Sequence, residues 1–299
     1  MREWIDVRVG SDELIRLLPS DLGHHLDSKE DLEFRRSLDP DYVSGRRIYL
    51  ARDNPRWEQI RAVLDKDPHG YHAWITRRYA RQELEQAQIL RLVITKEFEP
   101  EGEACGTVYD ETAACPVCGA GRRQVSDLHL QLRRVFQQPP SIPQAKRTGI
   151  ARTIANEIIV SQALAELIKE NRGVGAELRP VRGCGADAKI TPHWKQLWVT
   201  GKAGRTVPPT EFGLKPFNPD DRGEYRCPRG HVSGLNLLSE VYVRREDWDG
   251  SDIAATEDLV GSRMGVLVPS PMLLISQRFY RLLLEHNLKG FKAEVAHLV

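Results

Sequence analysis

The spacing of apolar residues changes period several times within the first hundred positions. Ile5, Val7 and Val9 alternate with Asp6 and Arg8, the two-residue period of a strand with one buried face. Ser11, Asp12 and Glu13 suit a helix start ahead of Leu14, Leu17 and Leu18. Arg47 to Ala51 predicts another strand. Asn54-Pro55 then sets a cap residue and an N1 proline before Trp57, Ile60, Val63 and Leu64, which are spaced for an amphipathic helix. A helix around Ala80 to Gln88 leads into a strand from Ile89 to Phe98. Residues 1–100 therefore read as a mixed α/β region without a catalytic fingerprint.

Between Glu99 and Gly121 the periodicity gives way to glycines, cysteines and polar residues, as in a loop. Leu128, Leu130 and Leu132 alternate as a strand, and the run from Gln137 to Pro143, with three prolines, predicts a hinge or exposed loop. Two later segments, residues 158–181 and 273–296, resemble each other at an offset of 115, as from Ser161 to Ser276. Each reads as strand, Ser N-cap, helix, Gly stop, strand. Leu164, Leu167 and Ile168 form the apolar stripe of the first helix, Phe279, Leu282 and Leu283 that of the second. Gly175 and Gly290 stand where each helix hands over to a strand. Two copies are too few for a solenoid, so a pseudo-symmetric pair in one sheet is expected. The fold class is α+β, with residues 101–299 forming a second region that holds both copies.

At 299 residues the chain can bury a large core as one domain or two. Its 43 basic and 42 acidic side chains, net +1, exclude a global field that would draw it to nucleic acid or anionic lipid. Charges run through Met1-Arg2-Glu3-Trp4-Ile5-Asp6, and no stretch of 18 uncharged apolar residues occurs, so neither export nor membrane insertion is expected. Five cysteines, two in Cys-x-x-Cys spacing, favour metal ligation in a reducing compartment over a disulfide framework. A cytoplasmic location follows from that reading.

The chemistry concentrates in two knuckles, Cys115-Pro116-Val117-Cys118-Gly119 and Cys227-Pro228-Arg229-Gly230-His231. Two ligands on a tight Gly-containing turn supply half of a tetrahedral site, so Cys115, Cys118, Cys227 and His231 form a candidate structural Zn²⁺ site. Cys105 is an alternative ligand, because Cys105-Gly106-Thr107 ahead of the first knuckle resembles a zinc ribbon lacking its first cysteine. In that version it joins Cys115, Cys118 and one of Cys227 or His231. Cys184 has no partner at ligand spacing and reads as a free thiol. Asp247, Asp249 and Asp252 read as a turn with Trp248 packed inward, and Gly201 to Arg205 as a hairpin turn. Arg-Arg dipeptides begin at Arg35, Arg46, Arg77, Arg122, Arg133 and Arg244. Arg122 and Arg123, beside the first knuckle, support an alternative reading as a zinc-ribbon nucleic-acid-binding or regulatory protein. Accompanying acidic residues make a salt-bridged surface the default for these pairs. No residue is nominated as catalytic.

The run Cys115 to Gly121, the split second knuckle, Leu197 to Gly201, Trp248 to Asp252 and the Ile275-Ser276-Gln277 helix start with Gly290 together resemble the double-CXXCG motif proteins, a group abundant in myxobacteria. The likeness covers about residues 105–299. It implies a zinc-stabilised protein, and since some members are described as immunity proteins, a toxin or effector as the protein partner. His231 departs from the pattern by standing in for the second Cys of the second motif.

Overall fold

A computed structural model describes residues 1–27, 44–132, 148–171, 173–189, 193–261 and 267–299. The expected hinge at 137–143 and the dipeptides beginning at Arg35 and Arg133 lie outside the described residues. The molecule is α+β, as the mixed periods predict.

A four-stranded antiparallel sheet opens the chain, in the order β2-β3-β1-β4. It comprises β1 (Arg2–Val9), β2 (His24–His25), β3 (Arg46–Ala51) and β4 (Tyr71–Arg78). Helices α1 (Asp12–Leu17) and α2 (Arg56–Leu64) cover one face, where Val7, Val9, Leu14, Ile48, Ile60 and Leu64 are fully or almost fully buried. The side chain of Asn54 accepts the Arg56 N–H at 2.9 Å, so the Asn-Pro start acts as its spacing suggests.

After α3 (Arg81–Gln86), β5 (Ile89–Ile94) and β6 (Glu97–Phe98) leave the N-terminal region altogether. Two short strands, β7 (Tyr109–Asp110) and β8 (Arg123–Gln124), pair as a hairpin, followed by β9 (Leu128–Leu130). After β10 (Ile150–Thr153), the first of the two similar segments contains β11 (Ile158–Ser161), α4 (Gln162–Glu170) and β12 (Ala176–Arg179). Next come β13 (Val181–Gly183), β14 (Trp194–Val199), β15 (Gly201–Lys202), β16 (Phe212–Lys215), β17 (Asn218–Pro219), β18 (Asn236–Leu237) and β19 (Val241–Val243). After β20 (Ile253–Val260), the second segment spans β21 (Ser270–Ser276), α5 (Gln277–Glu285) and β22 (Phe291–Leu298).

These strands build two large sheets, β12-β14-β11-β10-β6 and β15-β20-β21-β5-β22-β19. The two strand-helix-strand segments thus occupy separate sheets instead of the single sheet expected. The reason lies in the strand between each pair: β14 runs between β11 and β12, and β5 between β21 and β22. Both cross over at their ends, β5 passing into β6 of the first sheet and β14 into β15 of the second. Gly201 and Lys202 are consequently paired in parallel with Ala254 and Ala255, and the hairpin turn expected there does not form. Strand β5 likewise carries the C-terminal region back past the boundary placed at residue 100.

Hydrogen bonds at the two crossings match. Thr95 and Lys96 N–H groups donate to Gly290 O at 2.8 and 3.3 Å, while Thr200 and Gly201 donate to Gly175 O at 2.9 and 3.0 Å. Gly149 and Ile150 donate to Lys289 O at 2.9 and 3.4 Å, and Asp252 and Ile253 to Val174 O at 2.9 and 3.2 Å. Gly175 (φ +91°) and Gly290 (φ +105°) must be glycine twice over, because a Cβ at either would also strike the Ile253 or Ile150 carbonyl. Helices α4 and α5 share one core, formed by Leu164, Ile168, Phe279 and Leu283 with Leu90, Val160 and Ile275 of the sheets.

Candidate metal centre

Each knuckle sits in a loop held by short strands. Cys115 and Cys118 lie in the loop joining β7 to β8, and Cys227 and His231 in the loop between β17 and β18. Within the first, Gly119 N–H donates to Cys115 O and Cys115 N–H to Ala120 O, both at 2.7 Å. Within the second, Gly230 N–H donates to Cys227 O at 2.7 Å and Cys227 N–H to His231 O at 2.9 Å. Gly119 (φ 72°) and Gly230 (φ 81°) take the left-handed turns that bring the ligands of each knuckle onto one side.

The loops meet. One ligand atom from each of Cys115, Cys118, Cys227 and His231 lies within 4.8 Å of all the others. Cys115 Sγ is 3.8 Å from Cys227 Sγ, and Cys118 Sγ is 3.3 Å from His231 Nδ1. Ligands bound at about 2.0–2.3 Å around a tetrahedral ion are spaced about 3.3–3.8 Å apart, the range in which both of these distances fall, so the cluster could hold a metal ion. All three thiols are buried, against Ala120 and Leu259 of β20.

The surroundings stabilise thiolate unevenly. Backbone N–H groups of Cys118 and Val117 aim at Cys115 and, against the effect of burial, lower its pKa to about 6. Arg229 N–H approaches Cys227 Sγ at 3.5 Å. Burial instead raises the pKa of Cys118, partly offset by the Ala120 N–H and the Ser233 hydroxyl. Three sulfurs and one imidazole complete a four-coordinate shell from protein atoms alone, which is the donor set of a structural centre. Ser233 is the one contributor the spacing gave no reason to select.

Cys105 stands outside this cluster. It is buried at the end of a short 3₁₀ turn and faces Cys184; burial and that neighbouring thiol push its pKa up to about 12. Cys105, the alternative ligand, is therefore not among the four clustered residues, and Cys184 is a free thiol as its spacing suggests, with Cys105 as its neighbour. Arg122 is largely buried, stacked 3.9 Å over the Tyr109 ring and ion-paired with Glu103 and Glu111. Arg123 is exposed. A separate cavity of about 280 Å³ lies between α4 and α5, lined by residues including Ile168, Asn171, Arg278 and Phe279. Among the described residues no helix is long and apolar enough to cross a membrane. The sequence matches neither a protein-family model nor a curated protein.

Proposed function

We propose that this chain is a cytoplasmic, zinc-stabilised binding protein of the immunity type, which neutralises a toxin or effector by occluding it. The observation that carries the metal half of this reading is the Cys115, Cys118, Cys227 and His231 cluster. Soft thiolates with one imidazole in tetrahedral spacing favour zinc over harder cations. The matched hydrogen bonds around Gly175 and Gly290 support descent from an internal duplication in which the halves exchanged a strand. In that picture the two knuckles are the corresponding loops of the halves and the zinc joins them, as the likeness to double-CXXCG proteins implies.

Support for a protein partner comes from the apolar surface beside the first knuckle. Val108 and Val125 adjoin through a 3.0 Å backbone hydrogen bond, and they are 54% and 52% exposed; Val117, within the knuckle, is 58% exposed. Zinc holding this loop in shape would fix how Val117 is presented to a partner. Nucleic-acid binding through Arg122 and Arg123 has less support, since Glu103 and Glu111 already neutralise Arg122.

The test is co-purification with the toxin or effector encoded beside this gene, with zinc measured in the same sample. About one zinc per chain and a stoichiometric complex that protects cells from the toxin are expected. Val117→Asp should weaken the complex while leaving zinc in place. A zinc-loaded chain that neither binds nor protects would overturn the partner reading.

A further inference from the structure

The N-terminal sheet has two unlike faces. Residues directed inward from β1, β3 and β4, among them Ile5, Val7, Val9, Ile48, Tyr71 and Ala73, pack under α1 and α2. Directed outward are Arg2, Trp4, Asp6 and Arg8 on β1, Arg47 and Tyr49 on β3, and His72, Trp74, Thr76 and Arg78 on β4. The register sets Asp6 between Tyr49 and Trp74, and Arg8 between Arg47 and His72. Three aromatic rings on three adjacent strands therefore lie among four arginines.

Two of the rings are parallel, and guanidinium groups lie over all three. Trp4 and Tyr49 are within 4° of parallel, with centroids 6.1 Å apart. The Arg78 guanidinium lies 5.0 Å from the Trp4 ring centre and 5.9 Å from that of Tyr49, and Arg8 lies 5.1 Å from Trp74. Trp4, Tyr49 and Trp74 are only partly buried, and none belongs to a hydrophobic core cluster of the described residues. The single carboxylate among these outward positions, Asp6, is 2% exposed and is taken up by Arg47 at 2.8 and 2.5 Å. Among the described residues no carboxylate forms an ion pair with Arg2, Arg8 or Arg78. In a chain whose total charge is +1, this face is a local concentration of positive charge interleaved with π surface.

We propose that the outer face of β3-β1-β4 binds single-stranded nucleic acid, with bases stacking on Trp4, Tyr49 and Trp74 and phosphates meeting Arg2, Arg8 and Arg78. The complementarity is twofold. Phosphodiesters accept charge-assisted hydrogen bonds from guanidinium groups, and unpaired bases offer planar faces that partly exposed aromatic rings take up. A duplex hides its base faces, and insertion into an anionic membrane needs a continuous apolar face, whereas these rings alternate with Arg2, Asp6 and Arg8. This surface is separate from the metal centre and its valines, so it stands or falls independently of the immunity reading.

The test is fluorescence anisotropy of a short 5′-labelled oligo-dT against the full-length zinc-loaded protein, with tryptophan quenching read in parallel. A mixed-sequence duplex and phosphatidylserine vesicles serve as the comparison arms. Oligo-dT should bind and quench, with a log–log salt slope of about −2 from three phosphate contacts. Arg8→Glu with Arg78→Glu should weaken binding at least about tenfold, Trp74→Leu by a similar factor, and Arg8→Lys with Arg78→Lys far less. Zinc content should be unchanged in all of them. The proposal is overturned if oligo-dT neither binds nor quenches the unaltered protein. It is equally overturned if duplex or vesicles bind as tightly, or if the folded charge-reversal variant binds oligo-dT as well as the parent.

Discussion

Among the five cysteines, identity of residue type conceals two different environments. Cys115, Cys118 and Cys227 converge with His231, whereas Cys105 and Cys184 face each other elsewhere. Replacing a ligand removes a donor from a shell that has no spare, while replacing Cys105 removes none. Cys227→Ser should therefore reduce bound metal from about one per chain to near zero, and Cys105→Ser should leave it unchanged, as read by elemental analysis after desalting. Loss of metal in the Cys105→Ser protein, with the fold intact by circular dichroism, would restore Cys105 as a ligand. The clustered residues were legible in the sequence because each knuckle is a local object: a turn with two potential donors and a glycine. The Cys105–Cys184 contact was not, since it joins a 3₁₀ turn to the end of β13 across about eighty residues of chain, and nothing in either segment names the other.

At the scale of elements, local periodicity was an accurate guide to helices and a poor one to strand neighbours. Ser161 and Ser276 each accept the N–H three residues on, from Leu164 and Phe279, so both helix starts follow the sequence. Alternation says which face of a strand is buried but not which strand lies beside it, and the crossing of β5 and β14 was hidden for that reason. Asp252 shows how tightly the crossing is held. Its carboxylate accepts from the Ser276 hydroxyl at 2.7 Å, from Val174 N–H at 3.1 Å and from Arg278. Burial works against its charge, yet Arg278, Ser276 and Val174 together keep its pKa below the ordinary carboxylate range. A carboxylate lowered in this way adds stability above its unfolded pKa of about 3.9, and loses it as pH falls through the folded value. Arg278 is 59% exposed, so solvent screening discounts its share. Asp252→Asn should cost about 1–2 kcal/mol at neutral pH, because its amide would face a guanidinium with no charge to offer. Denaturant melts should show that deficit shrinking below about pH 3.9. A deficit that stays constant down to the acid limit would mean the carboxylate charge contributes nothing.

For the whole molecule, the question is how far the influence of a metal held at the cluster would spread. The ligands come from two loops that also touch β20 through Leu259, and β20 sits beside β21 in the six-stranded sheet. The N-terminal sheet supplies no ligand and has its own core around Val7, Val9, Leu14, Ile48 and Leu64. Its links to the rest include the buried Arg77, paired with Glu3 at 2.8 Å and 3.9 Å from Glu294, and the contact of Trp57 with Phe217 at 5.3 Å between ring centres. Phe217 sits beside β17, where the second knuckle loop departs, but none of these contacts involves Cys115, Cys118, Cys227 or His231. Stripping the metal with a chelator should therefore act in a graded manner, measured by amide hydrogen exchange. Protection should be lost first at Gly119, Cys115, Gly230 and Cys227, whose N–H bonds define the knuckles, then fall more modestly along β20. Amides of β1 paired with β3 and β4 should exchange as slowly as before. Uniform loss of protection across all the sheets would instead show one cooperative unit, in which the metal stabilises the fold from end to end and the N-terminal core has no independent standing.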